Sequence, residues 1–208
     1  MKIVVIGATG GTGKQLVEQG IAAGHEMTAV IRNPAASLTI QHKNLEIIQG
    51  DVLKTHLEPM LKGNDVVMSV LGVHSRAPTV VYSQGVTNII NAMVRVGIRR
   101  LICVSASGLD PGPLWQRLIA KPLLWALLKE GYTDMTRMEA EIRKHNDLDW
   151  TIVRPPRLTD NPVTGQYKVS INKHLSSGWQ LSRADLAHYI LGHIDDHKTY
   201  RAMVEVAY

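Results

Sequence analysis

A glycine-rich turn set between two elements of different periodicity constrains this chain more than any other feature. Lys2–Ile6 (KIVVI) is a short β-branched run, and Gly7-Ala8-Thr9-Gly10-Gly11-Thr12-Gly13 follows it directly. Beyond Gly13, Leu16, Val17, Gly20 and Ile21 recur at helical spacing until Gly24 stops the pattern. Glycines at spacing three let the backbone turn tightly, approach a pyrophosphate and press the helix onto the sheet. The helix N-terminus then presents unpaired N–H groups and a positive dipole end to the phosphates. A P-loop is excluded, because Lys14 is followed by Gln15 where that motif needs Ser or Thr.

The same alternation runs on through the chain. Met27–Ile31, Leu45–Ile48, Asp65–Leu71, Leu101–Val104, Trp150–Val153 and Met203–Val206 read as strands. Helical periods occupy Val86 to Gly97, Met135 to Ile142 and the stretch opened by Ser182, whose face is Leu186, Ala187, Ile190, Leu191 and Ile194. Strands that are apolar throughout have both faces covered. Alternation of such strands with helices predicts a Rossmann-like, doubly wound α/β fold: a mostly parallel sheet with helices on both faces. The expectation is one NAD(P)-binding domain over residues 1–208, with insertions at about 108–130 and 157–180.

Composition narrows the setting. With 208 residues and 45% apolar types, the chain can bury a real core. No apolar run approaches the roughly 18 residues of a membrane span. MKIVVIG carries no leader pattern and there is one cysteine, so a cytoplasmic, reducing setting is expected. The net charge of +5 and the pI near 9.4 come from scattered basic residues, which adjoin only in pairs such as Arg99–Arg100 and Arg143–Lys144. Without a basic run interleaved with aromatics, an anionic small ligand explains the charge better than nucleic acid.

Strand ends supply the candidate site. Arg32 ends the second strand, where an NAD-binding protein carries Asp or Glu about 20 residues past the loop. A guanidinium forks onto a 2′-phosphate and gains little from a ribose diol, so NADPH is the expected cofactor. Asp51, with the N–H of Val52, suits adenine recognition; the alternative is an N-cap for a helix after Leu53. Leu71 and Gly72 end the fourth strand at the switch point, where backbone passes the cofactor. Ser105 follows the strand LICV, so its hydroxyl faces the ligand crevice to orient or relay a proton; the alternative is a bond to local backbone. Cys103 reads as a small buried hydrophobe. His188 and His193 are five apart, off the i,i+4 spacing of helical metal ligands, and no metal site is expected. Leu114 to Leu128 reads either as a lid or dimer surface or as a core helix interrupted at Pro122.

GATGGTG, AVIRN, GDVL, SVLG, TNIINAMVRVGIRRLICVSA, RPPRLTDNPVTGQY and HKTY together resemble the atypical short-chain dehydrogenase/reductase-like proteins of the NmrA-like superfamily, and within them biliverdin-IXβ reductase/flavin reductase. The resemblance implies hydride transfer from NADP(H) to a flavin, acting as substrate, or to a linear tetrapyrrole. It implies that Gly7, Thr9, Gly10, Gly11, Thr12 and Gly13 hold the pyrophosphate and Arg32 the 2′-phosphate. Asp51 and Val52 would contact adenine, Leu71 and Gly72 would line the channel, Ser105 would sit by the nicotinamide, and Pro155 and Pro156 would border its carboxamide. The chain departs from the family in two places: Pro34-Ala35-Ala36-Ser37 lacks a second arginine, and Arg157 replaces a histidine.

Other dehydrogenases of the superfamily use a Tyr-x-x-x-Lys pair, and no tyrosine here has lysine four residues on. Reduction of a conjugated acceptor (FMN, FAD, riboflavin, tetrapyrrole or quinone) needs no such acid, because solvent can supply the proton. Arg154 reads as a structural partner, and Arg157 as a second catalytic candidate facing an anionic acceptor group. The same missing pair suits a non-catalytic NADP(H)-binding sensor.

Overall fold

The structure, a computed structural model, describes residues 1–33, 38–54, 56–73, 77–109 and 121–208, the side chains of 121–128 excepted. The chain opens with β1 (Lys2–Ile6), α1 (Gly11–Ala22), β2 (Glu26–Ile31) and β3 (Leu45–Gln49). The short α2 (Glu58–Leu61) leads to β4 (Val66–Ser69), α3 (Val81–Val96), β5 (Arg100–Val104) and α4 (Lys121–Ile142). The last third holds β6 (Asp149–Arg154), β7 (Arg157–Thr159), β8 (Lys168–Ile171), β9 (Gln180–Ser182), α5 (Arg183–Gly192) and β10 (Ala202–Ala207). Eight strands form one sheet in the order β3-β2-β1-β4-β5-β6-β10-β8, parallel except for β8 against β10. The expected mostly parallel, doubly wound Rossmann-like sheet is what forms.

The pleat distributes β1 between two cores. Ile3 and Val5 pack with Leu16 and Val17 of α1 and with Leu186 and Ile190 of α5. Val4 and Ile6 pack with Val86, Ile89, Ile90 and Met93 of α3 and with Met138 and Ile142 of α4. Each flanking helix therefore needs only one apolar stripe, which is why its 3.6-residue period was legible. Among the described residues no helix is long and apolar enough to cross a membrane.

The structure amends the sequence reading at several points. β3 is an edge strand with Ile47 41% exposed, not a strand covered on both faces. The 157–180 insertion contains β7 and β9, which pair with each other, and β8, which extends the main sheet. The described part of α4 begins at Lys121, with Pro122 at its second position. The choice between lid and core for Leu114 to Leu128 falls on residues 110–120 and on side chains 121–128, outside the described residues.

Two buried arginines lock the sheet. Arg100 donates to the carbonyls of Ile194 (2.6 Å) and Asp149 (2.8 Å) and to Thr151 Oγ1 (2.7 Å), and its guanidinium lies 4.5 Å from the centre of the Tyr200 ring. Burial lowers its pKa. Arg154 donates from Nε to Glu139 Oε1 (2.8 Å) and from Nη2 to Oε2, joining the end of β6 to α4. Both partners are nearly sealed from solvent, at 7% and 2% exposure. The structural reading of Arg154 is the one observed. Glu139→Ala takes the bidentate carboxylate from a buried guanidinium, so urea unfolding is expected to show a loss of about 3–5 kcal/mol, much of it recovered by the double substitution Glu139→Leu with Arg154→Met.

Candidate functional site

The strand order reverses between β1 and β4, and a cleft of about 460 Å³ opens there at the C-terminal strand ends. Its floor is the glycine turn. Gly7 has φ +91°, and a Cβ there would stand 2.6 Å from the Val70 carbonyl oxygen. A Cβ on Gly13 would stand 2.2 Å from the Gly7 carbonyl oxygen, so α1 rests directly on the turn. Gly10 N–H donates to the Gly7 carbonyl (3.0 Å), and Lys14 N–H is the first to close onto the helix, at Gly10 (2.9 Å). The amides of Gly11, Thr12 and Gly13 precede that bond and form the leading edge of α1. These residues fit a dinucleotide: the missing Cβ atoms make the cradle, and the leading amides supply donors for phosphate oxygens.

At the β2–β3 end, Arg32, Asp51 and Val52 line the cleft with Val30, Gly50 and Leu53. Asp51 Oδ1 accepts the Leu53 N–H (2.9 Å), and Asn88 Nδ2 of α3 donates to the Val52 carbonyl (2.7 Å). This is an Asx turn; the next helix, α2, starts only at Glu58 with Leu57 at its N-cap, so Asp51 does not cap a helix. Leu71 and Gly72 also line the cleft, as do Gly7, Thr9, Gly10, Gly11 and Thr12; Gly13 lies beneath, buried.

At the β5 end, Ser105 lies in the cleft wall, 5% exposed, and its Oγ is buried without a hydrogen-bond partner among the described residues. Its own N–H is spent on the Val153 carbonyl (2.8 Å). Local backbone does not hold the hydroxyl. Val81, Tyr82, Val104, Met135 and Leu158 surround it and make this end largely apolar. Tyr82 OH accepts the Val73 N–H (3.0 Å), and burial pushes its pKa up.

Pro155, Pro156 and Arg157 are not in the cleft lining. Pro155 is buried, and its carbonyl accepts the Ser107 N–H (3.0 Å), so it braces the strap after β5. The period-two pleat of β7 sends Leu158 into the cleft and turns Arg157 away. Arg157 lies exposed, 5.9 Å from the centre of the Trp179 ring. Conversely, sequence reasoning missed Tyr82, Met135 and Arg183 in the lining. No local signal marks them, because tertiary packing brings each to the cleft.

Two buried carboxylates position the walls. Asp134 of α4, fully buried, accepts the N–H groups of Tyr82 (2.8 Å) and Ser83 (3.4 Å) and the Ser83 hydroxyl, so one helix caps the N-terminus of another. Asp185 of α5, also fully buried, accepts from Thr164 N–H, Thr164 Oγ1 and Gly165 N–H (each 2.8 Å), and from Tyr208 OH (2.6 Å). Ser182 Oγ caps α5 by accepting the Asp185 N–H (2.9 Å). The Thr164-Gly165 stretch of the RPPRLTDNPVTGQY segment is thus the part that docks the insertion onto α5.

The NAD(P)H-binding family model matches residues 7–197. The chain belongs to that family. The chloroplastic protein At2g34460 of Arabidopsis thaliana is 29% identical over 182 residues, which cover 79% of this chain and 61% of that protein. The photosystem II assembly factor Ycf39 of Synechocystis is 26% identical over 184 residues, 86% of this chain and 51% of its own length. The chain thus spans 61% and 51% of the length of these two curated relatives. A short-chain dehydrogenase/reductase from Veillonella parvula, solved in complex with NADP, superimposes with a TM-score of 0.84 over 100% of this chain and 94% of that one, at 21% identity. The family is thus an NAD(P)H-binding one, and the fold is shared with the Veillonella protein.

Burial acts to raise the Asp185 pKa, but the donors from Tyr208, Gly165 and Thr164 outweigh it and hold the carboxyl below the ordinary aspartate value. A carboxyl more acidic in the folded than in the unfolded state stabilises the fold above about pH 4 and loses that contribution as pH falls through its folded value. The stability gap between wild type and Asp185→Asn in urea is therefore expected to be wide at neutral pH and to close progressively below about pH 4. A gap that stays constant into strong acid would remove this role from Asp185.

Proposed function

We propose that the protein is an NADPH-dependent reductase of flavins or related conjugated acceptors, including linear tetrapyrroles and quinones. The observation that carries the reading is the apolar end of the cleft around the unbonded Ser105 hydroxyl. A flat conjugated ring stacks on such a wall and needs no Tyr-x-x-x-Lys acid. β2 and β5 are three strand spacings apart, about 14 Å, so the Arg32 and Ser105 ends are separated across the switch point.

Bound NADPH supplies the hydride, and the acceptor takes its accompanying proton from solvent. The chain's own residues bind and orient. The leading amides of α1 receive the diphosphate, Arg32 the 2′-phosphate, and Asp51 with the Val52 N–H the adenine. Ser105 Oγ donates to the nicotinamide or acceptor and passes on a proton where one is needed. Tyr82, Val104 and Leu158 keep water from the reacting face. Arg157, against Trp179 and outside the cleft, takes no part in the step. The reading treats residues 1–208 as one nucleotide-binding unit in the cytoplasm, although one relative is chloroplastic.

A non-catalytic NADP(H)-binding regulatory role is the second reading. It is favoured by the same missing acid and by a relative named as an assembly factor. Loss of NADPH absorbance with FMN, FAD, biliverdin or a quinone supports the reductase, whereas tight NADP⁺ binding with no turnover on any acceptor supports the regulator. Arg32→Ala is expected to raise KM for NADPH about tenfold or more while leaving that for NADH unchanged, the range set by charge-assisted hydrogen bonds. Ser105→Ala is expected to lower kcat/KM about tenfold with NADPH affinity retained, the cost of one lost donor. Unchanged steady-state constants in either variant would remove that residue from the site.

A further inference from the structure

Arg183, the first residue of α5, has a placement that its own contacts do not explain. Its side chain lines the nucleotide cleft and lies directly above Gly11 of the glycine turn. A Cβ on Gly11 would stand 2.5 Å from Arg183 Cδ and 2.8 Å from Nε. A side chain at position 11 would push the arginine aside, and the spacing-three pattern, which uses Gly7, Gly10 and Gly13, does not itself call for a glycine there. The chain leaves position 11 bare, and a side chain from 172 residues further along fills it.

The one acidic group in the first turn of α5, the buried Asp185, is spent on Thr164, Gly165 and Tyr208. Arg183 sits in the first turn of α5, the positive end of that helix's dipole, where a cation is disfavoured. It also reaches over the N-terminus of α1, the second positive end. Its ion pair among the described residues runs from Nη1 to Asp160 Oδ1 (2.7 Å), and that carboxylate is 87% exposed, so solvent screens most of its effect. A guanidinium pinned where two helix N-termini converge, with a screened partner among the described residues, is arranged for an anion in the cleft. The anion that belongs beside the Gly11 and Thr12 amides is the diphosphate of the dinucleotide.

We propose that Arg183 clamps the cofactor diphosphate from the side opposite the α1 amides, and that Gly11 is kept bare to admit it. Asp160 is the positioning residue that holds the guanidinium over the turn, linking the 157–180 insertion to the occupied cleft. The assignment rests on the nucleotide-binding reading above and adds a cation to it. It also separates the labour of two arginines: Arg32 reads the 2′-phosphate at the β2 end, and Arg183 reads the bridge common to both coenzymes.

Calorimetric titration of NADP⁺ and NAD⁺ into wild type, Arg32→Ala, Arg183→Ala, Gly11→Ala and the Gly11→Ala/Arg183→Ala pair tests this, with melting curves confirming that each chain is folded. Arg183→Ala is expected to weaken both coenzymes by a similar factor of about tenfold, as loss of a charge-assisted hydrogen bond does. Arg32→Ala weakens NADP⁺ alone. Gly11→Ala displaces the guanidinium and reproduces the Arg183→Ala loss, yet adds little to it in the double variant, because both act on one interaction. Unchanged affinities in Arg183→Ala, a loss confined to NADP⁺, or simple additivity with Gly11→Ala would overturn the clamp while leaving the cofactor reading intact. A wild-type chain that binds neither coenzyme would overturn both.

Discussion

The contact on which everything else depends is the one between α1 and the end of β1. A Cβ at Gly13 would lie 2.2 Å from the Gly7 carbonyl oxygen, a separation no side chain tolerates. Because that space is empty, the helix begins immediately above the strand and its first amides face the strand ends. Gly7, at φ +91° beside Val70, brings β4 to the same point. The nucleotide cleft is therefore a by-product of how closely two elements pack. Helix α5, packed against α1, carries Arg183 into the cleft lining.

Around that contact the fold buries charge in a patterned way. Arg154 with Glu139, Asp134 at the head of α3, and Asp185 beneath Thr164 and Gly165 each join segments distant in sequence. Burying a charge costs several kcal/mol unless its hydrogen bonds are made, so each of these groups has one well-defined environment and transmits little freedom to the cleft walls. Arg100 and Arg154 also show that part of the basic character is consumed inside the molecule. Arg32 and Arg183 are the basic residues that line the cleft.

The mostly parallel main sheet and the floor of the site were legible because they depend on local regularities. The unbroken apolar runs of the strands, the period of 3.6 in α1, α3 and α5, and the glycine spacing each survive in a linear reading. The 157–180 insertion was not legible in this way. Its strands are three or four residues long, and β7 and β9, which pair with each other, send only Leu158 and Leu181 to the core, too short a run to show a pattern. Its RPPRLTDNPVTGQY segment looks like a site motif, yet Thr164 and Gly165 serve to bind Asp185, a structural duty with a strong sequence signature.

Glycine placement, strand hydrophobicity and helix period suffice to specify a dinucleotide-type turn at the head of a parallel sheet, since each rule acts within a few residues of itself. Which side chains complete the cleft is a different kind of question. Leu158 faces inward and Arg157 outward because of where β7 starts its pleat. Arg183 reaches Gly11, and Asp134 caps α3, because packed helices bring together residues far apart in the chain. Such pairings come from long-range contact, and no periodicity along the chain records them.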